Sequence, residues 1–435
     1  MKRTVVVVAL ALTLIACVLA FACNGGDGGG SPTPSPAATA TSPPAATATP
    51  RATATAGAPT ASATPAATVS SGGEQLAYSD GQDIWLINAD SSGQRKLTEG
   101  QCAQAAGPFW SRRGDKIACV SGGTEEAPHT KIAVFDLGGQ TLAQPELDAW
   151  LGSFAWSADD RHFVYSIAEG DTLATSRVSL IIGDAESPAT VRLEDAQDAR
   201  WSPDGTQLAY LKTVGEELTI YDLAAGQDKP LGTGLRPLAW ALEGKALLVA
   251  ANYQQQEIGA TYEASLLDPV SVETTRVPEL DNGAQFWLSR DGQTAAFLAG
   301  PAERAEGGVK ISVLDLATRS VTPIEGAVIG YPSERIPPDH IVFSADGAYL
   351  YWVDVVAKSD QDLTGTIYRA KSDGSGLTEL GVLSATLVTF SPDRTMVLYF
   401  DGSAVWVARV DGGGARSLVE AVAVGWPPAV WRPLP

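Results

Sequence analysis

Histidine and methionine are nearly absent from this 435-residue chain, with three of the first and two of the second, and cysteine is scarce at four. The histidines, His129, His162 and His340, are too far apart in sequence to make a local metal or catalytic motif. There is no His-Glu-x-x-His, no paired Cys-x-x-Cys, no Gly-x-Ser-x-Gly elbow and no phosphate loop. A Ser-His-Asp triad is assembled by the fold rather than by spacing, so these gaps leave it without positive support. Basic residues are also few. Before residue 69 only Lys2, Arg3, Arg51 and Asp27 are ionised, which leaves 27 basic and 49 acidic residues in the remainder, a net charge of −22. Binding nucleic acid or anionic lipid through a basic footprint needs clustered Lys and Arg, and this balance argues against it. The turn aspartates have a backbone role of their own, so the sequence calls for no metal and no cofactor.

What is present begins with Met1-Lys2-Arg3 and the apolar run Thr4 to Ala22, the form of an export signal, with a membrane span as the alternative. Leu14-Ile15-Ala16-Cys17 and Ala20-Phe21-Ala22-Cys23 both resemble the lipobox of bacterial lipoproteins, in which the cysteine is acylated and becomes the mature N-terminus. Polar Asn24-Gly25-Gly26-Asp27 follows Cys23 directly, whereas anchoring at Cys17 would leave Val18 to Ala22 as an apolar stub. The expectation is lipidation at Cys23, with Cys17 as the alternative. Residues 1–22 are then a signal peptide, and residues 23–68 a tether so rich in Pro, Thr and Ala that it cannot bury enough surface to fold. At about 3.1 Å per residue, its Pro-rich part, residues 31–68, spans on the order of 100 Å when extended. The expected place is outside the cytoplasm, held to a bacterial cell membrane through the lipid alone. In an exported domain, Cys102 and Cys119 either form a disulfide, worth about 3 kcal/mol for a loop of this size, or stay two separate buried thiols.

Residues 69–435 are a repeat. Trp201-Ser-Pro-Asp-Gly-Thr-Gln-Leu-Ala-Tyr-Leu211 reads as strand, turn, strand, because Pro presets φ at the second turn position, Asp bonds nearby backbone and Gly accepts positive φ at the exit. Degraded copies start at Val69, Trp110, Trp156, Trp240, Trp287, Phe343 and Phe390. The eight copies lie 39 to 56 residues apart, the length of one four-stranded propeller blade. Each is followed by a third apolar strand that usually ends in an acidic residue, such as Leu218-Thr-Ile-Tyr-Asp222, and several by a short fourth strand. The repeating aromatics are read as wedges between adjacent blades rather than as a binding platform.

Aromatic-Ser-Pro-Asp-Gly, then Leu-Ala-Tyr, then Ile-Tyr-x-Asp, then Leu-Thr resembles the Pro-Asp propeller repeats of the TolB type, over residues 69–435. The resemblance implies an all-β propeller, here of eight four-stranded blades, or of seven if the poorly matching repeat around Trp240 is not a full blade. That family carries an α/β domain before its propeller, where this chain has the tether, so its role in the Tol envelope system is not carried over. Related propellers also cap prolyl peptidases.

Successive strands of a blade alternate in direction, so the loops between strands two and three and the connectors between blades emerge on one face. Length variation concentrates there. The inner loops lengthen at 122–130, 168–177, 252–261, 300–308 and 354–365, and the connectors at 145–153 and 325–340. Aromatic and charged residues in these stretches, Trp150, Tyr253, Tyr331, Arg335, His340 and His129, are the candidate binding residues. The reading is a surface-displayed, non-catalytic module for a protein, peptide or envelope glycan. The alternative is an extracytoplasmic hydrolase or lyase with carboxylates and a histidine at the channel mouth. Finally, Gly425-Trp-Pro-Pro-Ala-Val-Trp431-Arg432 looks like a ninth first strand without a blade, placed to complete blade one and remove an open edge. Deleting residues 425–435 is expected to lower the melting temperature sharply; an unchanged melting curve overturns this closure.

Overall fold

The computed structural model describes residues 74–434 apart from 104–105, 125–126, 171–175, 256–259, 282–284, 299–308, 330–340, 360–361, 385–386, 401–403 and 421–428. Residues 1–73, which hold Cys17, Cys23 and the tether, lie outside the described residues. Eight antiparallel sheets follow one another along the described chain as the blades of a β-propeller. Blade 4 is the plainest: Ala196–Trp201, Gln207–Lys212, Glu217–Asp222 and Gln227–Thr233 pair in sequence order from the innermost strand outwards. The segment around Trp240 is a complete blade 5, made of Leu235–Ala241, Ala246–Gln255, Ala260–Leu267 and Thr274–Arg276, so the seven-bladed alternative is set aside. Blade 2 carries one additional short strand, Glu146–Asp148, against its third strand Ala127–Asp136.

The second strands are apolar on both faces because each is covered by a neighbouring blade on either side. Leu208, Ala209, Tyr210 and Leu211 are buried, as are Leu247, Leu248, Val249 and Ala250. The recurring turn is held by its own side chains. Ser202 Oγ donates to Asp204 Oδ1 at 2.6 Å and accepts the Gln207 N–H at 2.9 Å, while Asp204 Oδ1 accepts the Thr206 N–H at 3.0 Å. The same set recurs at Ser289/Asp291, Ser344/Asp346 and Ser391/Asp393. Gly205 has φ 75°, and a Cβ there would meet the Asp159 backbone nitrogen of the preceding turn at 2.9 Å, so both conformation and space require glycine. Blade 5 has Ala241 in place of the serine, and its turn is secured from next door: Leu242 N–H donates to Gly292 O at 2.9 Å and Glu243 N–H to Asp291 O at 2.8 Å.

Blades are also stitched at their innermost strands. Indole Nε1–H groups donate to a backbone carbonyl of the preceding blade: Trp110 to Val430, Trp156 to Phe109, Trp201 to Ala155, Trp240 to Arg200 and Trp431 to Thr389, at 2.9 to 3.3 Å. Phe390 has no such donor, and Arg394 of the same blade reaches Phe343 O instead, through Nε at 3.0 Å and Nη2 at 2.8 Å. In blade 6 the pairing of Leu288 with Ala295 matches that of Trp201 with Leu208, so Leu288 occupies the aromatic position. The assignment of Trp287 to that position is therefore corrected: it sits one residue earlier, because the turn serine is Ser289, directly after Leu288.

The ring closes where the sequence places it. Ala429–Trp431 pairs antiparallel with Gln75–Ser79 as the innermost strand of blade 1, with Leu76 opposite Trp431 and Arg432 N–H donating to Gln75 O at 2.8 Å. Cys102, in the connector after blade 1, and Cys119, in the second strand of blade 2, are joined as a disulfide that is fully buried among Leu97, Ile117 and Phe135.

At this seam two carboxyls meet. The Asp393 N–H lies 3.5 Å from Glu74 Oε1, and Glu74 Oε2 is buried without a donor, the position that a proton shared with the Asp393 carboxyl would fill. Burial first, and Asp393 second, push the Glu74 carboxyl up from an ordinary value of 4.5 to about 7, while the Asp393 carboxyl is held low despite its burial, chiefly by the Thr395 N–H and Ser391. A carboxyl whose value rises on folding stabilises the fold fully below its unfolded value, and that contribution is lost as pH climbs through the folded value. Glu74→Gln, which keeps the shape without the charge, is expected to match the wild-type melting temperature near pH 4.5 and to exceed it above pH 7. Parallel melting curves for the two proteins between pH 4.5 and 8 would contradict the pairing.

Candidate binding site at the loop face

With antiparallel strands, the Ser–Asp turns occupy one face of the ring, and the second-to-third hairpins and blade connectors occupy the other. On this loop face three departures from regular pairing converge at blades 4 and 5. The innermost strand of blade 4 slips register between Gln197 and Arg200, leaving Asp198, at φ 58°, and Ala199 outside the ladder. The innermost strand of blade 5 slips between Pro237 and Ala239, and its second strand between Ala251 and Gln254, where Asn252 takes φ 52°. A bulge leaves residues unpaired and re-aims their side chains. Asp198 and Tyr253 are such residues.

They meet around Arg236. Its Nη1 lies 3.2 Å from Asp198 Oδ2, and its guanidinium stands 4.4 Å from the centroid of the Tyr253 ring. Tyr253 stacks on Tyr262 at 6.2 Å with an interplanar angle of 8°, and donates through Oη to Gln255 Oε1 at 2.9 Å. The side chains of Arg236 and Asp198 are only 19% and 16% exposed, so their attraction is less screened than in a surface pair. Burial raises the Tyr253 phenol above its usual range, opposed by Arg236, and burial with Tyr253 and Asp281 nearby pushes Tyr262 up to about 12. Both rings therefore stay neutral hydrogen-bonding plates across the physiological range. An aromatic face flanked by a guanidinium and a carboxylate offers stacking, donors and acceptors together, which suits peptide groups and sugar hydroxyls.

Of the residues picked from sequence, Tyr253 lies in this cluster. Trp150 does not present a ring on the face. It is buried at 5% exposure, because the innermost strand of blade 3 begins at Trp150, which pairs with Ala168 rather than belonging to a loop. His129 lies on the third strand of blade 2, opposite Asp148. His162 sits at the other end of its blade, in the turn face, with Nδ1 2.6 Å from Asp159 Oδ2. His340, Tyr331 and Arg335 lie outside the described residues. Among the described residues no group of three or more His, Cys, Asp or Glu is placed to hold a metal ion.

Asp198, Arg236 and Tyr262 were not singled out from sequence. Their signal was faint: Gln197-Asp198-Ala199-Arg200 puts polar residues into an innermost strand whose counterparts, such as Ile341–Phe343, are apolar. The partners are fixed by bulges, and a bulge is visible only once pairing is known.

No family model and no curated protein matches this chain. Among solved structures it is similar to a eukaryotic initiation factor (TM-score 0.54, 15% identity, 84% of this chain and 100% of that one). It is also similar to Porphyromonas gingivalis dipeptidyl peptidase 4 (TM-score 0.54, 15% identity), covering 81% of this chain and 59% of the peptidase. TolB from Acinetobacter baumannii matches at a TM-score of 0.35 and 16% identity, over 73% of this chain and 83% of that one. At such identities the first two likenesses speak for architecture alone, and what they and the eight closed sheets establish is a β-propeller.

Proposed function

We propose that this protein is a non-catalytic binding module that holds a protein, peptide or glycan on its loop face, centred on Asp198, Arg236 and Tyr253. It is displayed outside the cytoplasm by a lipidated cysteine, Cys23 or else Cys17, and the tether ending at residue 68. The observation that carries the reading is the half-buried Asp198–Arg236–Tyr253 cluster, built by three bulges on the face where loop lengths vary. Innermost-strand bulges also occur in blades 2 and 3, between Ala106 and Phe109 and between Leu151 and Phe154, so what distinguishes blades 4 and 5 is the set of charged and aromatic side chains brought together there. The recurring Ser, Asp and Trp residues support the same division, since their polar atoms are consumed within turns and between blades.

The test is a pair of arrays, one of peptides and one of glycans, probed with purified wild-type protein and with an Arg236→Ala/Tyr253→Ala variant. The wild type is expected to bind a subset of spots, and the variant to lose at least about tenfold in signal there, the order expected for losing an aromatic anchor and a charge-assisted contact. Undiminished binding by the variant places the site elsewhere, and cleavage of arrayed ligands favours the hydrolase or lyase alternative.

A further inference from the structure

Each charge in the loop-face cluster is answered within it. Arg236 Nη1 lies 3.2 Å from Asp198 Oδ2, and among the described residues neither side chain has a second ion-pair partner. The pair is neutral as a whole. Its rim is neutral too: Tyr253 is flanked by Asn252 and Gln254, both exposed amides, and its own hydroxyl donates to Gln255 Oε1 at 2.9 Å. An anionic ligand would meet the field of a domain whose net charge is −22. A cationic one would have to take Asp198 from Arg236 and leave a half-buried guanidinium uncompensated.

What the pair offers is a donor and an acceptor side by side. A guanidinium has several N–H donors, of which Asp198 engages one group, and a carboxylate has two oxygens, of which Arg236 engages Oδ2 and leaves Oδ1. Two hydroxyls on neighbouring carbons of a sugar ring, when gauche, hold their oxygens about one hydrogen-bond length apart. That is the scale of the Arg236–Asp198 separation, so one hydroxyl accepts from Arg236 while the other donates to Asp198 Oδ1. A ring that lacks either hydroxyl, or holds the two trans-diaxial, cannot bridge the pair. A peptide fits less well. Main-chain capture uses an unpaired strand edge, and the second strand of blade 5, which carries Tyr253, is paired on both sides.

We propose that the loop-face site takes a neutral glycan, gripping one sugar ring by two vicinal hydroxyls between Arg236 and Asp198. The inference rests on the reading of this cluster as the binding site, and it names the class of ligand held there. Bonds from a hydroxyl to either charged partner are charge-assisted, which gives a small neutral ring a firm hold without any charge of its own.

The test uses the full chain and saturation-transfer NMR, which detects weak ligands. The probes are the methyl glycosides of glucose, mannose and galactose, the methyl glycoside of glucuronic acid, and N-acetylglycine methylamide as a neutral peptide unit. At least one neutral glycoside is expected to bind saturably, with its strongest signal on ring protons beside two vicinal hydroxyls, and the glucuronoside and the peptide unit to give none. Removing either of those hydroxyls weakens binding at least about tenfold, the factor set by losing a charge-assisted hydrogen bond. Asp198→Asn keeps the shape but strips Arg236 of its counter-charge, so the neutral glycoside weakens by a similar factor and the glucuronoside now binds. Arg409→Gln, at an exposed arginine paired with Asp411, changes nothing. If the wild type binds no neutral glycoside, or binds the glucuronoside or the peptide unit as well as it binds them, the glycan assignment is overturned whether or not any variant folds. Binding of the peptide unit alone, lost in Arg236→Ala/Tyr253→Ala, overturns the glycan and keeps the loop face as the site. Glycoside binding that survives that variant overturns the site itself, and this proposal with it.

Discussion

The indole hydrogen bond between neighbouring innermost strands is the contact on which this ring depends. An innermost strand has a partner on one side only, and its other edge turns carbonyls towards the channel. A buried acceptor without a donor costs roughly 1–3 kcal/mol. One tryptophan supplies the missing donor and the wedge that fills the space between two sheets. At the five junctions from blade 8 through blade 5 the donor belongs to the later blade and the acceptor to the earlier, so the stitch runs in one direction. A chain stitched in this way needs its beginning and end brought together. The last strand does so twice over, with Val430 O accepting from blade 2 and Trp431 donating to blade 8.

Most of this architecture was legible in the sequence because it is written eight times. The turn residues recur for local reasons that hold in any blade, and a Trp-Ser-Pro-Asp-Gly run announces both a strand end and a turn type. The closing strand was legible as a first strand with nothing after it. What could not be read was whatever depends on pairing. The frame of Trp287 is settled by which residue faces Ala295, and the burial of Trp150 by where a strand starts. The site was legible at Tyr253, in a loop of unusual length, but not at Asp198 or Arg236, whose positions come from register slips. The joining of Cys102 to Cys119 depended on two chain segments packing against the same core, which spacing alone leaves open.

Repetition and exception thus divide the work of the chain. Residues that recur have their polar atoms saturated by neighbours: Ser202 by Asp204 and Gln207, Asp204 by Ser202 and Thr206. Little is left over for a ligand. Where charged residues interrupt the pattern, at Asp198 and Arg236, they pair with each other beside a bulge and take no part in the turn and blade contacts. Binding capacity in this ring is expected where the repeat fails, on the loop face of blades 4 and 5.

Site-specific photocrosslinking on the native cells tests that division most directly, with benzoylphenylalanine placed either at Tyr253, on the loop face of blade 5, or at Lys245, exposed on the turn face of the same blade. The account predicts a discrete adduct from position 253 and none from position 245. An adduct of equal yield from position 245, or from that position alone, would contradict it.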